Sequence, residues 1–109
     1  MSRTTARPTA RSPFGTRSFV LLITYTAPLP RIDALLDEHR AWLDKHFADG
    51  TFLVSGPQVP RVGGTILATS ESRRHVEDVV STDPFVRAGI AAYQVIEFTP
   101  TRGPYAASA

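Results

Sequence analysis

The chain has 109 residues, enough for one domain of ordinary size and too few for two. It contains no cysteine, which excludes disulfides, cysteine-based metal sites and thiol nucleophiles. The formal net charge of +2 arises from residues 1–17, which hold four arginines and no acid, so the remainder sums to −2. Beyond Arg73 and Arg74 the domain offers no basic cluster for nucleic acid, and no apolar run is long enough to span a membrane.

Residues 1–17 are rich in Ser, Thr, Ala, Pro and Arg and show almost no apolar periodicity, which predicts a disordered leader. They lack the apolar segment of a secretory signal, and Pro8 and Pro13 would interrupt an amphipathic transit helix. We therefore expect a cytoplasmic protein with one domain over residues 18–100. Residues 101–109 form a tail of mostly small residues.

The first predicted element is a strand over residues 18–26, which are dense in β-branched and aromatic side chains. Phe19, Leu21 and Ile23 point to one face, while Val20 and Leu22 point to the other. Because both faces are apolar, we expect a central strand that is covered on both sides.

A helix follows over residues 31–47, and Asp49 and Gly50 end it with a turn. Its apolar residues recur at helical spacing and form one stripe: Ile32, Leu35, Leu36, Leu43 and Phe47. His39 lies on this stripe, where a leucine would fill the space without chemical consequence. A histidine there must be partnered, exposed in a cleft, or used in chemistry.

The second half of the chain predicts strands over residues 51–55, 65–69 and 90–98, with Gly63 and Gly64 in a hairpin turn. A helix over residues 71–80 begins after Ser70 as its N-cap and turns three valines inward. These are Val76, Val79 and Val80. Asp83 and Pro84 open a short turn that Gly89 ends.

The element order β-α-β-β-α-β predicts a ferredoxin-like α+β fold, with an antiparallel sheet and both helices on one face. The other face of the sheet is then bare in a monomer, although the first strand is apolar on both sides. We therefore expect a homodimer in which the sheets or their edges cover each other.

Sequence motifs exclude several kinds of chemistry. There is no nucleophile elbow, no phosphate-binding loop and no dinucleotide fingerprint, so we expect no nucleotide cofactor. No two histidines stand four residues apart, and His39 with His46 gives only weak support for a metal. We expect no metal and no other cofactor.

His39 remains as the candidate general acid or base, since imidazole titrates near working pH. It is equally a core-edge histidine bonded to a backbone carbonyl. Asp83 is the candidate carboxylate to orient it, although Asp before Pro is also a common N-cap. Asp37, Glu38 and Asp44 are poorer candidates because they lie on polar faces of the helix.

Several of these features together resemble the YciI-like, or YCII-related domain, family over residues 19–98. They are the opening strand, His39 four residues before Leu43, the strand end with Ser55, Gly56 and Pro57, the two turn glycines, and the D-P-F-x-x-A-G run that begins at Asp83. The leader and residues 58–62 depart from the short family pattern.

The resemblance implies a dimeric α+β barrel type of fold and a His–Asp pair, His39 and Asp83, at an active site. One resembling enzyme eliminates chloride from a chlorinated hydroxyquinone-type compound with such a pair. With this resemblance we expect a small cofactor-independent enzyme in which His39 abstracts a proton from a small cyclic or enolisable substrate, with isomerisation or elimination. Asp83 would hold the imidazole tautomer and stabilise its charged form. Ser55, Gly56, Pro57 and Tyr25 would line the pocket, and the aromatic walls would be Tyr25, Phe52, Trp42 and Phe85.

Two alternatives stay open. The same pocket can belong to a non-catalytic module that binds a metabolite or dimerises with a partner, in which case His39 and Asp83 are a structural pair. The other alternative is a cofactor-free oxygenase, for which the sequence offers no discriminating residue.

Overall fold

A computed structural model describes residues 17–106. The predicted leader lies outside the described residues except for Arg17, and the tail is described as far as Ala106. The elements in chain order are β1 (Arg17–Tyr25), α1 (Leu29–Ala34), α2 (Leu36–Ala48), β2 (Phe52–Pro57), β3 (Gly63–Ser70), α3 (Arg73–Val80), α4 (Pro84–Arg87) and β4 (Ala91–Phe98). No helix in this part of the chain has the length and apolar character needed to cross a membrane.

The four strands form one antiparallel sheet in the order β2-β3-β1-β4. The predicted central position of β1 is confirmed, because Phe19 pairs with Ala68 on one side and with Glu97 on the other. The ferredoxin-like α+β arrangement is therefore confirmed, and it brings the first and last strands of the chain together.

The core lies between the sheet and the helices. Alternate residues of β1 fill it, since Phe19 and Leu21 are completely buried, and the helices add Ile32 and Val76. The three predicted inward valines of α3 are all buried. Period-two burial on β1 together with helical spacing on α3 accounts for this two-layer packing.

The opposite face of the sheet is apolar and is not covered by any described element. Val54, Leu67, Val20 and Ile96 stand abreast across all four strands, because each pairs with the next in the sheet register. Val54 is 53% exposed and Ile96 is 38% exposed, while Val20 and Leu67 are half-buried. We refer to these four residues as the outer apolar face. No element within residues 17–106 therefore covers the second face of β1.

The predicted single helix over residues 31–47 is interrupted. Leu35 leaves helical geometry with φ −111° and ψ 10°, so α1 ends at Ala34 and α2 begins at Leu36. Trp42 and His46 are buried on α2, whereas Phe47, at the end of the predicted stripe, is 36% exposed and keeps a ring contact with Phe52. The buried side chains of α2 are those of residues 39, 42 and 46.

Two boundaries in the second half also differ from the prediction. The N-cap of α3 is Ser72, whose side chain accepts a hydrogen bond from the His75 backbone N–H at 3.1 Å, and not Ser70. Gly63 and Gly64 are the first residues of β3 and do not form the hairpin turn, which spans residues 58–62. Gly63 is required there because a Cβ atom would lie 1.7 Å from the Ile23 carbonyl oxygen.

Candidate active site

His39 meets Asp83 across 44 positions of sequence. Its ring lies on the inward side of α2 and is 7% exposed, and Nδ1 is 2.9 Å from Asp83 Oδ1. The fold brings the pair together because α2 and α4 pack against each other on the same face of the sheet. Both residues were predicted as candidates from the sequence, which does not show whether their side chains are in contact.

Asp83 acts as both an N-cap and a histidine partner. Its Oδ1 atom accepts a hydrogen bond from the Phe85 backbone N–H at 2.9 Å, which caps α4. The same oxygen faces His39 Nδ1, and the side chain is completely buried. The two roles that the sequence presented as alternatives are therefore filled by one carboxylate at once.

Tyr93 supplies a third contact to Asp83, and the sequence analysis missed it. The Tyr93 hydroxyl donates a hydrogen bond to Asp83 Oδ2 at 2.5 Å from β4. Burial, together with the negative charge of Asp83 and this hydrogen bond, raises the pKa of Tyr93 far above its ordinary value. The phenol therefore stays protonated and acts as a donor. The available signal was its position in β4, because a tyrosine on the core face needs a polar partner.

Aromatic rings hold the His39 imidazole in place. The Phe85 ring is stacked on it at a centroid distance of 4.1 Å and an interplanar angle of 9°, and Trp42 lies at 5.6 Å. Trp42 is itself held by a hydrogen bond from Nε1 to Thr82 Oγ1 at 2.9 Å. Because Nδ1 is engaged by Asp83, Nε2 is the ring nitrogen available to a bound molecule.

A cleft of about 380 Å³ opens beside His39. The residues predicted to line a pocket all border it: Tyr25, Ser55, Gly56 and Pro57. Among the four predicted aromatic walls, Tyr25 and Phe85 also border it. Trp42 and Phe52 do not, and they pack against each other in the core. The predicted residues that border the cleft thus lie around a single site. Their roles in binding or chemistry stay predictions.

Two arginines on the cleft wall were also missed. Arg61, from the connection between β2 and β3, bonds Asp33 Oδ1 through Nη2 at 2.6 Å. Its guanidinium carbon lies 5.8 Å from the centre of the Tyr25 ring. The hydrogen bond that Arg61 donates to Asp33 raises the pKa of Arg61 against the opposing effect of desolvation, with a further contribution from Tyr25. Arg40 follows His39 on α2. Their sequence positions, in a loop and on a polar helix face, gave no signal.

A second histidine–carboxylate contact lies at the end of α2, away from the cleft. His46 Nδ1 is 2.9 Å from Asp49 Oδ2, and His46 Nε2 is buried without a partner among residues 17–106. Burial tends to raise the pKa of Asp49, but hydrogen bonds from Thr51 and His46 outweigh it and lower the pKa. Within the described part of the chain, no three His, Cys, Asp or Glu side chains are grouped to hold a metal.

A family model for the YCII-related domain matches residues 18–99, which is most of the chain. The chain belongs to the YCII-related domain family. The resemblance inferred from its motifs is therefore confirmed. No curated protein matches this YCII-related chain.

A solved structure adds a chemical comparison. It is 5-chloro-2-hydroxyhydroquinone dehydrochlorinase from Burkholderia phenoliruptrix AC1100, in complex with 2,5-dihydroxybenzoquinone. The YCII-related chain is 26% identical to it with a TM-score of 0.61, and the match covers 74% of this chain and 92% of that one. A structural neighbour of this chain is thus an elimination enzyme that binds a small ring compound.

Proposed function

We propose that this YCII-related protein is a small enzyme that uses His39 and Asp83, without a cofactor, for acid–base chemistry on a small cyclic or enolisable compound. The observation that carries the proposal is the buried contact between His39 Nδ1 and Asp83 Oδ1 at the wall of the cleft. The dehydrochlorinase with the same fold supports elimination as one outcome of such chemistry.

The proposed reaction begins with proton abstraction. His39 donates its Nδ1–H to Asp83, so the Nε2 lone pair takes a proton from a carbon next to a carbonyl or from an enolic hydroxyl. The electron pair of the broken bond enters the carbonyl system and forms an enolate, and His39 becomes an imidazolium that the Asp83 carboxylate stabilises. In an elimination, the enolate electron pair forms a new C=C bond as a leaving group departs as an anion from the adjacent carbon, and His39 then releases its proton to solvent. Return of the proton from His39 Nε2 to another carbon completes an isomerisation.

The experiment is a screen of cyclic enols and halogenated hydroxyaromatic compounds with wild type, His39→Gln and His75→Gln. His75 is an exposed histidine on α3 and serves as the matched control. We expect His39→Gln to lower kcat/KM by about 10²–10⁴, the usual contribution of a general base, while His75→Gln retains wild-type turnover. Full activity in His39→Gln, or no turnover of any compound by wild type, would contradict the proposal.

A second candidate is a non-catalytic binding module, which the bonding of Asp83 also supports because its contacts join three elements of the fold. One carboxylate joins α2, the start of α4 and β4 through His39, the Phe85 backbone and Tyr93. A purely structural pair would show the same contacts. In that case His39→Gln lowers the melting temperature and removes no activity, whereas the enzyme reading requires loss of turnover in protein that is still folded.

We also propose that the partner of the outer apolar face is a second copy of this chain. A four-residue apolar row across the full width of a sheet can pack against the same row of another molecule about a two-fold axis. The cytoplasmic location expected from the sequence stays a prediction.

A further inference from the structure

The lining of the cleft is positively charged. Arg40 from α2 and Arg61 from the connection between β2 and β3 border it together with His39, and no Asp or Glu among the described residues does so. Asp83 contacts His39 Nδ1 and is not itself among the residues that border the cleft. Two cationic side chains from separate elements thus border the same cleft as the proposed base.

The bond to Asp33 positions the Arg61 guanidinium without engaging all of its N–H groups. Its bond to Asp33 and its interaction with Tyr25 engage only part of the five guanidinium N–H groups, so further donors remain for a ligand. Contact with the Tyr25 ring restrains the guanidinium at the cleft wall. A restrained guanidinium with free donors is suited to a planar oxyanion such as a carboxylate or an enolate.

Arg40 adds charge with little compensation. Its side chain is 64% exposed, and its Nη1 atom lies 3.9 Å from Asp37 Oδ1, on a side chain that is almost fully exposed. Exposed pairs at this distance interact weakly. Arg40 therefore places at the cleft a guanidinium whose charge Asp37 offsets only weakly.

The rest of the lining suits a single ring. Most of the cleft lining is apolar and is formed by Ile23, Leu36, Leu43, Ile66 and Phe85. A cavity of about 150 Å³ is enough to hold benzene, so about 380 Å³ accommodates one ring with several substituents. We infer that the cleft selects a small anionic ring compound, with the negatively charged oxygen bound by Arg61 and Arg40 and the ring against the apolar wall.

This inference rests on the proposed function and names its substrate class. An enolate or phenolate beside two guanidinium groups is stabilised as negative charge develops on it. The same groups would hold an anionic ligand if His39 performed no chemistry, so binding can be tested apart from turnover.

The test measures dissociation constants at low salt for two anions and two uncharged counterparts. Benzoate is compared with benzamide, and 2,5-dihydroxybenzoquinone, which is ionised at pH 7, is compared with 1,4-hydroquinone. In wild type we expect each anion to bind about tenfold to a hundredfold more tightly than its counterpart, as for hydrogen bonds to charged groups. Sodium chloride should reduce this preference.

Variants assign the preference to the arginines. Arg61→Gln should remove most of it, Arg61→Lys should retain part of it, and Arg40→Gln should reduce it by a smaller factor. The matched control is Arg74→Gln. Arg74 is exposed on α3 and, like Arg40, lies 3.9 Å from an acid on its own helix, but it does not border the cleft. It should leave every constant unchanged.

Equal affinity of wild type for benzoate and benzamide, no binding of either anion at millimolar concentration, or equal losses in Arg74→Gln and Arg61→Gln would each overturn the inference. If Arg61→Gln does not fold, Arg40→Gln and Arg61→Lys decide. An anion preference in a protein that turns over no compound leaves this inference standing and ends the enzyme proposal. Turnover of a neutral compound without any anion preference ends this inference and leaves the enzyme proposal standing.

Discussion

At the scale of single residues, Asp83 stands out because its two oxygens receive three hydrogen-bond donors. His39 and the Phe85 backbone share Oδ1, and the Tyr93 hydroxyl takes Oδ2. A completely buried carboxylate needs such partners, since an unpaired buried charge is very costly. The contacts also restrain the carboxylate in the position where it faces His39.

Removal of the Tyr93 hydroxyl tests this arrangement. In Tyr93→Phe the buried Oδ2 atom loses its donor, and we expect the free energy of unfolding at pH 7 to fall by about 1.5–3 kcal/mol. Urea denaturation of wild type, Tyr93→Phe, Asp83→Asn and the double variant gives the interaction energy of the pair. Additive losses in the double variant would show that the two side chains are not coupled.

The same tyrosine predicts a specific response to alkaline pH. Because the folded-state pKa of Tyr93 is raised above the unfolded value near 10, its contribution to stability is complete below pH 10. Above pH 10 the unfolded chain loses the proton while the folded chain keeps it, so stability falls by up to about 1.4 kcal/mol per pH unit. Unfolding measured from pH 8.5 to 11 should show a shallower decline in Tyr93→Phe than in wild type. Parallel declines would contradict the assignment.

At the scale of elements, the approach of β1 to β3 depends on Gly63. In Gly63→Ala the new Cβ would meet the Ile23 backbone oxygen at 1.7 Å, and a backbone atom cannot yield as a flexible side chain can. We expect a loss of about 3 kcal/mol or more in the free energy of unfolding, at or above the usual range for overpacking.

The matched control for this strand contact is Gly56→Ala on β2. A Cβ at Gly56 meets nothing within 4 Å, so its effect on thermal or urea unfolding should be small. Similar losses in both variants would mean that the β1–β3 approach is not what requires Gly63.

The comparison of prediction and structure is also clearest for elements. The strand over residues 18–26 and the valines of α3 could be predicted because alternation and helical spacing are local patterns. The break at Leu35 could not, because no proline or glycine marks it in the sequence. His39 and Asp83 could be named from residue chemistry, but their contact needed the packing of α2 against α4. Tyr93 and Arg61 could not be assigned to the site from the sequence. Tyr93 is placed there by the pairing of β4 in the sheet, and Arg61 by the course of the connection between β2 and β3.

At the scale of the whole molecule, the outer apolar face predicts self-association. We expect light scattering at micromolar concentration to give about twice the 11.9 kDa mass of one chain. Val54→Lys and Ile96→Lys, on the two edge strands of the sheet, should shift the mass towards the monomer because each would bury an unpaired charge.

Val59→Lys is the control for these charge substitutions. Val59 is 97% exposed on the connection between β2 and β3 and does not belong to the outer apolar face. It should leave the dimer intact. A monomeric wild type, or equal dissociation by Val59→Lys, would refute the dimer.

The strand order has a consequence for how the protein is made. Both neighbours of β1 come from later in the chain, β3 from residue 63 onward and β4 from residue 91 onward. At about 5–20 residues per second, a ribosome needs on the order of 4–15 s to pass from the end of β1 to the end of β4. During that interval the most apolar strand of the nascent chain has no complete set of partners. Chaperones that hold exposed strands should therefore engage this protein during translation and release it only after its last strand has emerged.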